Sequence, residues 1–226
     1  MARLISGLQA PRVAENLARV RARIAAAQAR APVRAVQRTD VELLAAIKYV
    51  SADDLPLLAE AGIRLVGENR AQELVAKHAA HGELFEWDFI GRLQSRRVRE
   101  VVPYARLIHS VASDSALREL RRRRELARAD LRILIEVNVA AEHDKAGVAP
   151  AQLGEFIARA PVPVAGLMTM PPLAAAPEDS RRWFAALRRL ADEHGLEHLS
   201  MGTSQDYVVA VEEGATIVRI GTSLYD

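Results

Sequence analysis

The chain has 226 residues, 50% hydrophobic and 27% charged, with a formal net charge of +2. This is an ordinary globular composition, long enough for a substantial core and at the compact end for an α/β barrel. The absence of cysteine excludes disulfides, thiolate metal sites and a cysteine nucleophile. No apolar run approaches the roughly 18 residues that cross a bilayer, and Arg12, Glu15, Arg19, Arg21 and Arg23 interrupt any signal-peptide core, so a cytoplasmic protein with no membrane partner is expected.

Residues 10–30 carry Val13, Leu17, Val20 and Ile24 at helical spacing, which predicts an amphipathic helix outside the main repeat. From Val41 onward, short apolar runs alternate with longer amphipathic ones. The runs predict strands over 42–49, 65–67, 85–90, 107–110, 133–139, 164–168, 198–200 and 216–220. Between them, helices are predicted near 53–61, 70–81, 96–101, 115–129, 150–160, 180–194 and 205–213, with Ser51 and Ser113 as candidate caps. Alternation of this kind implies βαβ units and a mostly parallel sheet. Eight strands favour a closed (β/α)8 TIM-type barrel, one domain over residues 1–226, with an extra N-terminal helix. The glycine fingerprints of open nucleotide-binding sheets are missing.

In such a barrel, chemistry gathers at the C-terminal ends of the strands. Lys48 closes the first predicted strand after Leu43-Leu44-Ala45-Ala46-Ile47. A partly desolvated amine there has a lowered pKa and attacks aldehydes; a lysine snorkelling into water fits the position equally well. Near the C-terminus, Ser200-Met201-Gly202-Thr203-Ser204-Gln205-Asp206 and Arg219-Ile220-Gly221-Thr222 each follow a predicted strand. They suit either a phosphate cradle, as the loops after strands 7 and 8 often form, or a pair of ordinary turns. Closure of the barrel would bring them beside Lys48. Glu68 and Asn69 suit helix capping as well as ligand contact, and Met168 suits packing. The six histidines form no metal or triad spacing, so no metal is expected. The arginine clusters at 96–99, 121–124 and 181–189 read as solvated helix faces, and no nucleic-acid partner is expected.

Taken in order, these segments resemble the pyridoxal phosphate homeostasis protein family, itself similar to the barrel domain of alanine racemase. The resemblance rests on Ala46-Ile47-Lys48-Tyr49, Gly67-Glu68-Asn69, Trp87 to Gln94, Asn138 with Glu142, Lys145 and Gly147, Gly166-Leu167-Met168, Ser200 to Asp206, and Val218 to Thr222. It implies a fold type III pyridoxal-phosphate barrel with the cofactor as a Schiff base on Lys48. It also implies a phosphate held by Ser204, Gly221 and Thr222, Arg219 facing the ring nitrogen, and Asn69 and Met168 in the cofactor site. Three departures stand out. The family usually has histidine in place of Asp88, Asn-Lys in place of Arg96-Arg97, and methionine in place of Thr203. Asp88 is expected near the rim, where it would alter any contact made by that histidine.

The resemblance further implies a protein that buffers or delivers the cofactor, with apo-forms of pyridoxal-phosphate enzymes as partners, as a monomer or weak dimer. Robust catalysis is not expected. An arginine at the ring nitrogen weakens the electron sink, and no second domain is expected after the last strand. The alternatives are a small amino-acid racemase drawing its second base from Tyr49, Tyr207 or a dimer partner, and a lysine-dependent aldolase.

Overall fold

Strands rich in Val, Ile and Leu on both faces must be covered on both faces, and here helices cover the outside and the opposite wall covers the inside. The computed structural model describes residues 4–31, 40–143 and 145–226. Strands β1 (Glu42–Ala46), β2 (Leu65–Glu68), β3 (Glu86–Phe89), β4 (Leu107–Val111), β5 (Arg132–Glu136), β6 (Val164–Met168), β7 (His198–Thr203) and β8 (Ile217–Ile220) form a closed barrel in chain order. Neighbours are parallel, and β8 pairs back with β1 in the register Leu44↔Arg219 and Ala45↔Ile220. The predicted barrel is therefore the observed one.

The helices are α1 (Ala10–Gln28), α2 (Leu55–Glu60), α3 (Ala71–His81), α4 (Val98–Val101), α5 (Asp114–Arg122), α6 (Leu153–Ala158), α7 (Arg181–Glu193), α8 (Tyr207–Glu212) and α9 (Thr222–Tyr225). In α1, Val13, Leu17, Val20 and Ile24 are all buried, and the helix packs on α8 and α9, outside the barrel as predicted. The Ser51 hydroxyl accepts from Asp54 N at 3.2 Å and that of Ser113 from Ala116 N at 3.2 Å, so both are caps. The predicted helix over 115–129 stops at Arg122. After Ala116, Leu117 and Leu120 have been buried, Arg121 to Glu125 offer no apolar side chain to hold another turn. The arginine clusters find carboxylates on the helix surfaces, as in Arg97–Glu100, Arg123–Glu119 and Arg181 with Glu212 and Glu213.

Most apolar side chains fill the shell between strands and helices. Inside the barrel, a small cluster of Leu44, Leu107, Leu134, Met168 and Ile217 is apolar. Beside it the interior holds buried charged and hydrogen-bonding side chains, among them Asp88, His109, Ser200 and Arg219. Asp88, expected near the rim, is fully buried inside the barrel. It receives Arg106 in a two-pronged contact, Nε to Oδ1 at 3.0 Å and Nη2 to Oδ2 at 2.9 Å, and Arg106 Nη2 also donates to Glu42 Oε2 at 2.8 Å. The expectation failed because β3 turns Asp88 inward, where the arginine beside β4 meets it.

His109, also fully buried, lies 3.1 Å from Asp88 Oδ2 through Nε2. Burial pushes the Asp88 carboxyl up, but hydrogen bonds from His109 and Arg106 outweigh it and hold the group below the ordinary 3.8. Burial pushes His109 below the ordinary 6.5, with Arg219 and Arg106 adding to the effect of burial against the pull of Asp88. Both groups take up protons more readily in the unfolded chain, so both withdraw stability as the pH falls. For His109 the loss begins as the pH drops below 6.5. The melting temperature should therefore decline on the acid side of that value, and less steeply in His109→Gln. Parallel declines in the two proteins would contradict this assignment.

Candidate functional site

Lys48 stands two residues beyond the end of β1, in a turn, and its side chain is exposed. Strand β1 ends at Ala46 rather than at 49, so Lys48 is not the desolvated strand residue of the sequence argument. Its Nζ lies 4.5 Å from the centre of the Tyr49 ring. The amine is accessible, and the backbone that carries it is tightly held. Ile47 N donates to Gly67 O at 3.0 Å, and the Tyr225 hydroxyl donates to Ala46 O at 3.3 Å. Lys77 Nζ donates to Ile47 O at 2.8 Å and to Glu68 Oε2 at 2.6 Å. The other Glu68 oxygen accepts from Asn69 N at 2.7 Å and Arg70 N at 3.2 Å. Glu68 thus orders the Asn69-Arg70 link that leads into α3 and, through Lys77, fixes the turn before Lys48. Lys77 and Glu68 are 2% and 0% exposed, so neither is available to a ligand.

Barrel closure sets the last two loops against this turn. A Cβ at Gly221 would meet only Ala46, at 3.9 Å, so the end of β8 lies beside the end of β1 with space to spare. The Ser204 hydroxyl oxygen accepts from Gly221 N at 3.1 Å and Ser223 N at 3.3 Å. Two backbone N–H groups thus converge on one oxygen, with exposed Thr222 between them. Gly202 has φ +88 and a Cβ there would stand 2.6 Å from that of Ala210, so only glycine lets the loop turn this close to α8. Asp206 Oδ1 accepts from Thr203 N at 2.8 Å and orders the same loop.

Arg219 is 6% exposed and points into the barrel. It donates to Ser200 Oγ at 2.6 Å and Thr169 O at 3.1 Å, and Met170 Sδ lies 2.8 Å from Nη2. Burial pushes it down to about 10, partly opposed by Asp206 and Glu136, so the guanidinium stays charged at neutral pH. Asn69 follows β2, and its Oδ1 is buried without a hydrogen-bond partner. Met168 packs in the interior cluster at the end of β6.

Sequence reasoning missed Glu136, which ends β5 almost fully buried. Burial pushes its carboxyl up against the opposing charges of Arg219, Arg92 and Lys145. The signal was available, because a charged residue ending an apolar strand is what singled out Lys48. Tyr207, named as a racemase base, is 2% exposed in α8 with Arg23 of α1 over its ring, so it faces the N-terminal helix rather than the mouth. Lys145 pairs with Glu142, in a loop that Asn138 ties by two hydrogen bonds. Among the described residues, no group of three His, Asp or Glu side chains is arranged to hold a metal ion.

An accessible amine, two N–H groups with adjacent hydroxyls, a fixed cation and an acceptor lacking a donor together suit a phosphorylated aromatic aldehyde. The fold and site define the class: residues 9–226 match the family model described as alanine racemase, N-terminal domain. Among curated relatives, a pyridoxal phosphate homeostasis protein of Aquifex aeolicus is 43% identical over 195 residues, 81% of this chain and 86% of the relative. That of Pseudomonas aeruginosa is 38% identical over 223 residues, 94% of each chain. PipY of Synechococcus elongatus, solved with PLP bound, is 32% identical with a TM-score of 0.78, over 95% of this chain and all of PipY (100%). An alanine racemase from Corynebacterium glutamicum, at 16% identity and TM-score 0.64 over 99% of this chain and 63% of its own, is alike in fold. The chain belongs to the pyridoxal phosphate homeostasis protein family. No described helix is long and apolar enough to cross a membrane.

Removing one partner of a buried ion pair strands the other charge, at a cost of about 3–5 kcal/mol. Lys77→Met should lose stability of that order in urea denaturation, and adding Glu68→Gln should recover part of it. Additive losses would show that the two side chains do not act as a pair.

Proposed function

We propose that this protein binds pyridoxal 5'-phosphate at the barrel mouth, joined to Lys48 Nζ as a Schiff base. It holds the cofactor for buffering within the cell or delivery to apo-forms of the enzymes that use it. The observation that carries this proposal is the β1–β8 register, which sets the Lys48 turn against the Gly221 loop and Arg219. The relatives named for cofactor homeostasis, and PipY with PLP bound, support it. When bound, the cofactor supplies an aldehyde that captures amines and a ring that draws electrons from them.

The chain's own residues divide the work. Ser204, Thr222 and the Gly221 amide, which donates to the Ser204 hydroxyl without a ligand, would hold the phosphate, and Lys48 would supply the amine. Met168 would give the cofactor an apolar contact, and Asn69 would offer its unpartnered oxygen to a donor. Arg219 would be the partner of the ring nitrogen. A guanidinium has only donors and keeps its proton, so it leaves that nitrogen unprotonated and weakens electron withdrawal. This favours a carrier over a catalyst.

Borohydride reduction followed by peptide mapping should find the adduct on Lys48. An adduct on Lys77 or Lys145 would falsify the assignment. Ser204→Ala and Thr222→Ala should each weaken retention, since a hydrogen bond to a charged group is worth roughly 1.5–3 kcal/mol; pyridoxal lacking the phosphate should bind far less well.

Turnover of L- and D-alanine and other amino acids at saturating cofactor tests the carrier role. Rates well below the ordinary enzyme range of roughly 1–1000 per second are expected. A rate inside that range overturns the carrier role while leaving cofactor binding intact.

A further inference from the structure

Arg219 is buried, yet it donates to the Ser200 hydroxyl, the Thr169 carbonyl and the Met170 sulfur rather than to a carboxylate. Glu136 and Asp206 act on it only through space. A buried cation without a contacting anion is costly unless its hydrogen bonds lead to one. Here they do. Arg219 Nη1 donates to Ser200 Oγ at 2.6 Å, Ser200 Oγ lies 2.8 Å from His109 Nδ1, and His109 Nε2 lies 3.1 Å from Asp88 Oδ2. The carboxylate at the far end is clamped by Arg106, which also binds Glu42. Asp88, His109 and Ser200 are each fully buried.

The proton positions follow from the chemistry of the groups. Asp88 is ionised and can only accept, so His109 Nε2 carries a hydrogen. His109 is neutral, because burial and the facing charges of Arg219 and Arg106 disfavour its cation. Its Nδ1 is therefore bare and accepts the Ser200 hydroxyl proton. Ser200 in turn accepts from Arg219, which has only donors. Every link points the same way, from Arg219 toward Asp88, and each polarises the next. The links also span the barrel: Asp88 and His109 stand on β3 and β4, Ser200 and Arg219 on the opposite wall, on β7 and β8.

We propose that Asp88, His109 and Ser200 are positioning residues. Their one-directional hydrogen-bond chain connects the Arg219 guanidinium to a carboxylate on the far wall and fixes the orientation it presents to the cofactor ring. This deepens the proposed function and rests on it for the ring contact; the chain itself is a property of the protein alone.

Two measurements test it. Nitrogen NMR of His109 in the cofactor-free protein should report a neutral ring with hydrogen on Nε2 and a bare Nδ1; hydrogen on Nδ1 at neutral pH overturns the chain. In the loaded protein, the visible absorption band of the borohydride-sensitive adduct is titrated with pH. Ser200→Ala should move its midpoint upward by about one pH unit, the scale set by loss of one hydrogen bond to a charged group. Ser200→Thr, which keeps the hydroxyl, should restore it. Asp88→Asn should shift the midpoint in the same direction. If Ser200→Ala folds, binds and titrates like wild type, the chain only fills space and the inference fails. If wild type forms no adduct, the proposed function fails, and the tautomer of His109 alone decides whether the chain exists.

Discussion

The hydrogen bonding of β8 onto β1 is the constraint from which the rest of this structure follows. Without it the sheet has two free edges, and the lysine after the first strand is separated from the loops after the last two. With it, Leu44 faces Arg219 and Ala45 faces Ile220 across the seam. The end of β1, just before the turn bearing Lys48, then lies beside Gly221, where an added Cβ would meet only Ala46, at 3.9 Å. Closure also removes the edges that an open parallel sheet would have to protect. The C-terminal segment reinforces the seam, since Tyr225 donates to the Ala46 carbonyl and Asn16 of α1 holds the Leu224 and Asp226 carbonyls.

Closure also decides what the interior contains. A barrel of this size is filled by side chains, and here the filling is divided. One part is the aliphatic cluster around Leu44 and Leu134. The other is a set of buried charges and hydrogen-bonding groups running from Glu42 and Arg106 through Asp88 and His109 to Ser200 and Arg219. Such a set is tolerable only when its members are satisfied, because a lone charge in this environment would be prohibitive. The ion pair of Glu68 and Lys77 outside the barrel follows the same rule. Lys77 also donates to the Ile47 carbonyl, and the second Glu68 oxygen accepts from the Asn69 and Arg70 amides. Both assemblies hold residues that face the mouth: one fixes the turn before Lys48, the other the arginine.

Much of the architecture was legible because its signals are local. Ser51 and Ser113 announce helix starts, the spacing of Val13, Leu17, Val20 and Ile24 announces α1, and apolar runs announce the strands. Boundaries were less legible. The apolar sequence continues through Ile47 past the end of β1, and nothing local shows that the chain leaves the sheet at Ala46. Lys48 was read as a partly desolvated residue ending the first strand, whereas it stands in a turn two residues past β1 with its side chain exposed. Its exposure depends on a turn held by Lys77, which lies 30 positions along the chain from its acceptor Ile47.

The sequence by itself determined the alternation of strands and helices, the caps, and the residue types at the mouth, since each depends on periodicity or on neighbours within a turn or two. Only the tertiary structure decided which buried polar groups meet. Asp88 and His109 are 21 positions apart, and His109 and Ser200 are 91 apart. Whether they touch depends on which face of each strand turns inward and on the stagger between strands around a closed barrel. A shift of one residue in either would send Asp88 or Ser200 to the outer face and leave Arg219 buried without a path to a carboxylate. No local pattern encodes that phase, because it is set jointly by all eight strands when the last one closes on the first.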